Sequence, residues 1–204
     1  MTRKAVGAAL LLLVAFVGPV LAHPHHAGHE VVDGFAHPWF GLDHLLAMVG
    51  VGLLAARLGG RCVWLVPAAF LSAMLLGAAV SFGSVTSFGS ASLAHAAWWG
   101  ELGVMLSVAV FGLLLARKRP ITITGCLALV AGFALFHGYA HAAEAVGASP
   151  AMYLAGMITG TATLHAVGLA AGLAVQRMAS ERYLRLSGKA IATLGLVLLL
   201  GQVV

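Results

Sequence analysis

The sequence predicts an all-α fold: a polytopic membrane helix bundle of six transmembrane helices after a cleaved signal peptide. Three observations carry that prediction. Of 204 residues, 61% are hydrophobic and 8% charged, and the mean hydropathy is +1.02, well outside the range of soluble domains. The apolar residues fall into six long runs, each near the roughly 20 residues that cross the hydrocarbon of a bilayer. Basic residues gather in every second connection between those runs, the pattern that membrane insertion imposes. A net charge of +5 spread this thinly marks no nucleic-acid surface; the expected surroundings are a lipid bilayer.

Taken in order, residues 1–22 read "MTRKAVGAALLLLVAFVGPVLA". Arg3 and Lys4 precede a short apolar stretch, Gly18-Pro19 breaks it, and Val20 and Ala22 put small residues before a cut at His23. That is the build of a secretory signal peptide. Residues 23–36 form a His-rich segment that then starts outside the cytoplasm, and residues 37–204 form the membrane domain. Its six runs are 41–56, 62–82, 93–116, 121–143, 152–175 and 187–203. Beyond the signal peptide every Lys and Arg lies in or just past three connections: Arg57 and Arg61; Arg117, Lys118 and Arg119; Arg177, Arg182 and Arg185, with Lys189 at the start of the sixth run. The connections between them carry none, so both mature ends are expected to face outward and the basic loops inward.

The fifth run, "GMITGTATLHAVGLAAGLA", spaces Gly156 from Gly160 and Gly168 from Gly172 by four residues. Small residues at that spacing let membrane helices approach closely, so tight packing is the expected role. Cys62 and Cys126 fall at the inward ends of their runs, where a disulfide is not expected, and read as small core residues. Met48, Met74 and Met105, thioethers among leucines, read as core packing.

The ionisable side chains converge when each is placed by depth. His37, Asp43 and His44 stand at the outer start of the first span in "HPWFGLDHLLAMVGVG". His95 opens the third span from outside, and Glu101 follows in its outer third. His137, His141 and Glu144 end the fourth, in "FHGYAHAAE", and share one helical stripe. Only His165, near the middle of the fifth span, lies deeper. Pro38 suits the first turn of a helix, which would make His37 its entrance and set His44 two turns below on much the same face.

A carboxylate at the centre of a bilayer costs about 2.5–3.5 kcal/mol even by the lenient insertion scale. No Lys or Arg lies on the outward half of any span to neutralise Asp43, Glu101 or Glu144, so a bound cation or protonation is expected. Imidazole suits nickel, cobalt, zinc and copper, with the carboxylates ligating or orienting the rings from behind. Isolated membrane histidines such as His95 and His165 also serve as hydrogen-bond partners between helices. Ahead of the spans, "HPHHAGHE" offers His23, His25, His26 and His29. Pro24 lacks the amide that an amino-terminal copper or nickel clamp requires, so a loose imidazole cluster that collects metal is expected.

These residues resemble the HupE/UreJ family of bacterial nickel/cobalt permeases. "HPWFGLDHLLAMVGVG" is similar to its first signature, "FHGYAHAAE" to its second histidine motif, and the resemblance runs over the whole chain. It implies an inner-membrane permease that takes up nickel, or in some members cobalt, and indirectly supplies a nickel enzyme such as hydrogenase or urease. Carried over by position, His37, Asp43 and His44 match the first motif and His137, His141 and Glu144 the second; Ala142 stands where glycine is usual.

The expected mechanism is capture by the tail histidines, then transfer to His37, Asp43, His44, His137 and His141, with Glu101 and Glu144 compensating charge. No cofactor is expected to be permanently bound; Ni²⁺ or Co²⁺ is the cargo. Imidazole ligates only when neutral, so uptake is expected to weaken as pH falls through about 6.5. No phosphate-binding Gly-x-x-x-x-Gly-Lys-Ser/Thr loop occurs, which leaves the membrane potential or a proton gradient as the drive, unless a separate subunit supplies it. The alternatives are an integral-membrane zinc hydrolase using Glu101 or Glu144 as base, and a metal-binding accessory protein that does not transport. An enzyme is not expected. A rhomboid-like protease is set aside, since Ser90 and His95 share one short stretch with no partner helix.

Overall fold

The protein is described from a computed structural model over residues 30–88, 90–119, 121–144, 149–178 and 180–203, with backbone alone for 84–88, 90–97, 143, 144 and 203. Among these residues lie seven helices: α1 (Glu30–Phe40), α2 (Leu42–Leu58), α3 (Cys62–Phe88), α4 (Ser90–Ala116), α5 (Ile123–Glu144), α6 (Pro150–Met178) and α7 (Glu181–Val203). No strand occurs among them. Each of α3 to α7 is long and apolar enough to cross a membrane, while α1 and α2 pass the same test only as a pair bent by 80°. The chain is a multi-pass membrane protein of the all-α class.

The first span departs from the expected single helix. Pro38 lies inside α1, which already begins at Glu30, and not in the first turn of the helix that carries His44. Glu30 and Asp33 stabilise the start of α1 by meeting the positive end of its dipole. Near its end Pro38 removes the backbone donor that would bond Gly34, weakening the last turn. The chain leaves the helix at Gly41, whose backbone is extended (φ −78°, ψ 116°), and starts again at Leu42. With 17 residues α2 measures about 26 Å, short of the roughly 30 Å of hydrocarbon, so it needs α1 to complete the crossing. His37 and His44 therefore sit on two helices facing across a bend, not on one stripe.

α2 is the centre of the bundle. It packs on α3, α4, α6 and α7, and His44 and every residue from 46 to 56 are buried. A helix that is apolar on all sides belongs in such a place. α3 lies along α5, α4 along α7, and both halves of the broken span along α6. The glycine stripe of α6 explains the last of these. Gly156 and Gly160 meet the backbone of α1 at Val31 and Phe35, Gly168 meets α2 at Val49, and Gly172 meets Ala56. α2 answers with Gly52, against the carbonyl of His165. From Gly156 to Gly168 helix backbones touch with no side chain between them, the packing role the four-residue spacing predicts.

Outward faces remain apolar, with Leu76, Val80, Val197 and Leu200 exposed as lipid-facing residues. Trp64 is exposed at one end of the bundle and Trp98 and Trp99 at the other, where indole rings anchor a protein at the two membrane interfaces. At the first of these ends Arg57, its side chain only 4% exposed, reaches across from α2 to the end of α4. It donates to the carbonyls of Leu114 (2.8 Å), Leu115 (2.9 Å) and Arg117, and pairs with Glu181 at the start of α7 (3.0 Å). The last carbonyls of a helix lack intrahelical donors, and a guanidinium there satisfies them and meets the negative end of the dipole. Cys62 and Cys126 are free and buried at this same end, and Met48, Met74 and Met105 lie in the core.

Candidate metal centre

At the opposite end the bend at Gly41 folds the last turn of α1 over the first turn of α2. That places His37 against His44, and α5 brings His141 to both. One ring nitrogen from each of the three lies within 4.8 Å of the others. Ring centroids are 4.5 Å apart for His44 and His141, 4.7 Å for His37 and His141, and 5.4 Å for His37 and His44. An ion bound at 2.0–2.1 Å holds its nitrogens about 3 Å apart. Modest ring rotations thus close the trio on a cation. His44 and His141 are buried and His37 is half-buried, so the cluster opens at His37, at the end of the bundle opposite Arg57.

Asp43 finds its partner in the next residue. Its Oδ1 accepts the backbone N–H of His44 at 2.8 Å and pairs with the ring Nδ1 at 2.7 Å. With Nδ1 donating to the carboxylate, Nε2 carries the lone pair that a metal takes, and the ring is fixed in orientation. In this arrangement Asp43 orients His44 from behind. Gly41 makes room for the pair, since a Cβ there would come within 2.9 Å of His44 Nδ1 and 3.0 Å of Asp43 Oδ1. Replacing Asp43 by alanine is expected to weaken metal affinity about 10- to 100-fold with the protein still abundant, as loss of an orienting partner does. Equilibrium dialysis of radioactive nickel against purified protein checks this; an unchanged affinity would mean that the carboxylate does not set the ring.

His137, one turn before His141 on α5, stands just outside the trio. Its ring is 5.6 Å from His44 and 6.5 Å from His141. Its Nδ1 donates to the carbonyl of Phe133 at 3.0 Å, which leaves Nε2 as a buried acceptor with no hydrogen-bond partner. Glu101 is half-buried on α4 and close enough to His44 and Asp43 to interact electrostatically with both. His165 is buried on α6, apart from the trio. The side chains of His95 and Glu144 lie outside the described residues, as do His23, His25, His26 and His29.

Two neighbours of the site gave no signal in the sequence. Tyr153 of α6 holds its ring 6.2 Å from His37, and Phe70 of α3, fully buried, meets His137 edge-on at 5.1 Å. Both are aromatic residues in apolar runs, where only packing distinguishes a wall of the site from ordinary core.

Comparison with known proteins finds relatives over nearly the whole chain. Residues 10–198 match the family described as HupE / UreJ protein. Protein HupE of Rhizobium leguminosarum bv. viciae is 38% identical over 195 residues, covering 93% of this chain and 95% of that protein. No solved structure matches the chain.

Proposed function

The chain belongs to the HupE/UreJ family, and on that premise we propose that it is an inner-membrane secondary transporter that takes up a divalent transition-metal ion, nickel or cobalt. The observation that carries this reading is the meeting of His37, His44 and His141 from three helices at one end of a membrane bundle, with Asp43 orienting His44. Three neutral imidazoles suit a borderline-soft dication. A trio without a closed cage also favours release, which a transporter needs as much as capture.

In this reading residues 1–22 are a cleaved signal peptide, and His23, His25, His26 and His29 collect the ion outside. His37, half-buried at the mouth, hands it to His44 and His141, and His137 accepts it next. Asp43 supplies the negative charge nearest the rings, with Glu101 and Glu144 as further compensation. The Arg-rich end faces the cytoplasm by the positive-inside rule, so the histidines face the periplasm and both mature ends lie there. The ion delivered inside would serve a nickel enzyme such as hydrogenase or urease. A proton gradient or the membrane potential would drive it.

The test is accumulation of radioactive nickel and, separately, cobalt in cells expressing the intact chain, against cells lacking it. Accumulation of either ion above background, suppressed by an excess of the other, is expected. Background levels for both would end the reading.

A further inference from the structure

We propose that His165, with Thr161 one turn nearer the outer end, forms a second, inner cation station on α6, joined to the outer histidine cluster through the ring of Phe70, which touches both His165 and His137. The proposal rests on the transport reading for its purpose, but on separate residues for its geometry.

His165 is 2% exposed, and neither ring nitrogen has a hydrogen-bond partner. Imidazole carries one donor and one acceptor whatever its tautomer, and buried polar groups are nearly always satisfied. A buried histidine ordinarily closes one nitrogen on a neighbouring carbonyl, the bond that even His137 makes to Phe133. Thr161, four residues earlier and so on the same face of α6, is fully buried with its hydroxyl also unpartnered. The exposed-face threonines of the same helix behave otherwise. Thr159 and Thr163 close their hydroxyls on the carbonyls of Ala155 and Thr159, at 2.8 and 2.7 Å. The unspent polar groups of α6 therefore point inward, on one stripe.

Their position fits a relay. Phe70 meets His165 edge-on at 5.0 Å and His137 edge-on at 5.1 Å, so one aromatic ring touches two histidines that each hold an unpartnered ring nitrogen. Along α6, twelve residues separate His165 from Tyr153 beside the outer cluster, about 18 Å. Eleven residues separate it from Gln176, which bonds the carbonyl of Ala56 at the Arg-rich end, about 16 Å. His165 thus lies halfway through the bundle. The ligands on offer there are neutral, whereas Asp43 adds a carboxylate outside. A second site lets an ion leave the first without returning to water, and one made only of neutral ligands does not trap it in turn.

The full-length chain tests this with three proteins: intact, His165→Leu and His165→Cys. His165→Leu fills the space with an apolar side chain. It is expected to retain nickel binding within about threefold of the intact chain, while uptake into vesicles falls at least tenfold. His165→Cys places a thiolate at the station, and cobalt titrated into the purified protein is expected to raise a thiolate-to-cobalt charge-transfer band that the intact chain, with Cys62 and Cys126 only, does not show. Uptake by His165→Leu within twofold of the intact chain would overturn the proposal. So would joint loss of binding and uptake, which would assign His165 to the outer site or to the packing that holds it. Absence of the cobalt band in a folded His165→Cys protein overturns it as well. The band needs no flux, so it is read even if the intact chain accumulates neither ion, in which case the transport reading fails on its own.

Discussion

Alanine in place of His44 is expected to lower metal uptake about a hundredfold or more at equal surface abundance, the largest effect of any single substitution in the cluster. His44 is the hub: its ring is 4.5 Å from His141, 5.4 Å from His37 and 5.6 Å from His137, and the Asp43 carboxylate stands behind it. Loss of an orienting partner usually costs metal affinity 10- to 100-fold, and removing the ligand itself together with the purpose of its partner should cost more. The change also strands Asp43, only 15% exposed, without the ring that meets its charge. His37→Ala should do less, because that ring is half-buried at the mouth and touches the cluster from one side. Initial rates of radioactive nickel uptake, normalised to surface-labelled protein, decide between these outcomes. A His44→Ala rate within threefold of the intact chain would remove the trio from the pathway.

Leucine at Gly168 is expected to deplete the protein from the membrane, whereas leucine at Gly132 should leave it at normal abundance. A Cβ at Gly168 would run into the carbonyl of Val49 and come within 3.0 Å of its Cα and carbonyl carbon, all backbone of the neighbouring helix, so no side chain can swing away. At Gly132 nothing lies within 4 Å of the same atom. Overpacking a core costs about 1–3 kcal/mol, and more where the obstacle is a helix axis that must move bodily. Because α2 carries His44, whatever Gly168→Leu protein survives should also bind metal poorly. Immunoblots of membranes and thermal aggregation of detergent-purified protein provide the check; equal abundance and melting for the two variants would contradict the backbone contact.

Much of this architecture is legible in the sequence because two of its signals are physically simple. Apolar runs long enough to cross hydrocarbon mark α3 to α7, and alternate loading of Arg and Lys gives the end they share. The same alternation brings His37, His44, His137 and His141 to one end although a hundred positions separate the extremes. The break at Gly41 is not legible. "GLDHLLAMVGVG" reads as a clean helix start, which it is, but "EVVDGFAHP" before it mixes charge with glycine and gives no hint of a second helix lying across the first. Nor does the Asp43–His44 bond show in the sequence, since adjacent residues within a helix point to different faces. It forms because Asp43 lies in the first turn of α2, beside backbone N–H groups that lack intrahelical partners. Which three of the histidines close together is decided by the angle between α1 and α2, a property of packing and not of spacing.

The interrupted span has an electrical consequence as well. Where α1 stops, its terminal carbonyls leave about half a negative charge next to His37; where α2 starts, about half a positive charge faces Asp43. An unbroken helix would carry neither at this depth. The two partial charges offset the cost of bringing a dication and its counter-carboxylate out of water together, each ion meeting the pole that favours it. The bend therefore prepares the field at the histidine cluster for a cation, with only peptide groups and without placing a further acidic side chain in the membrane.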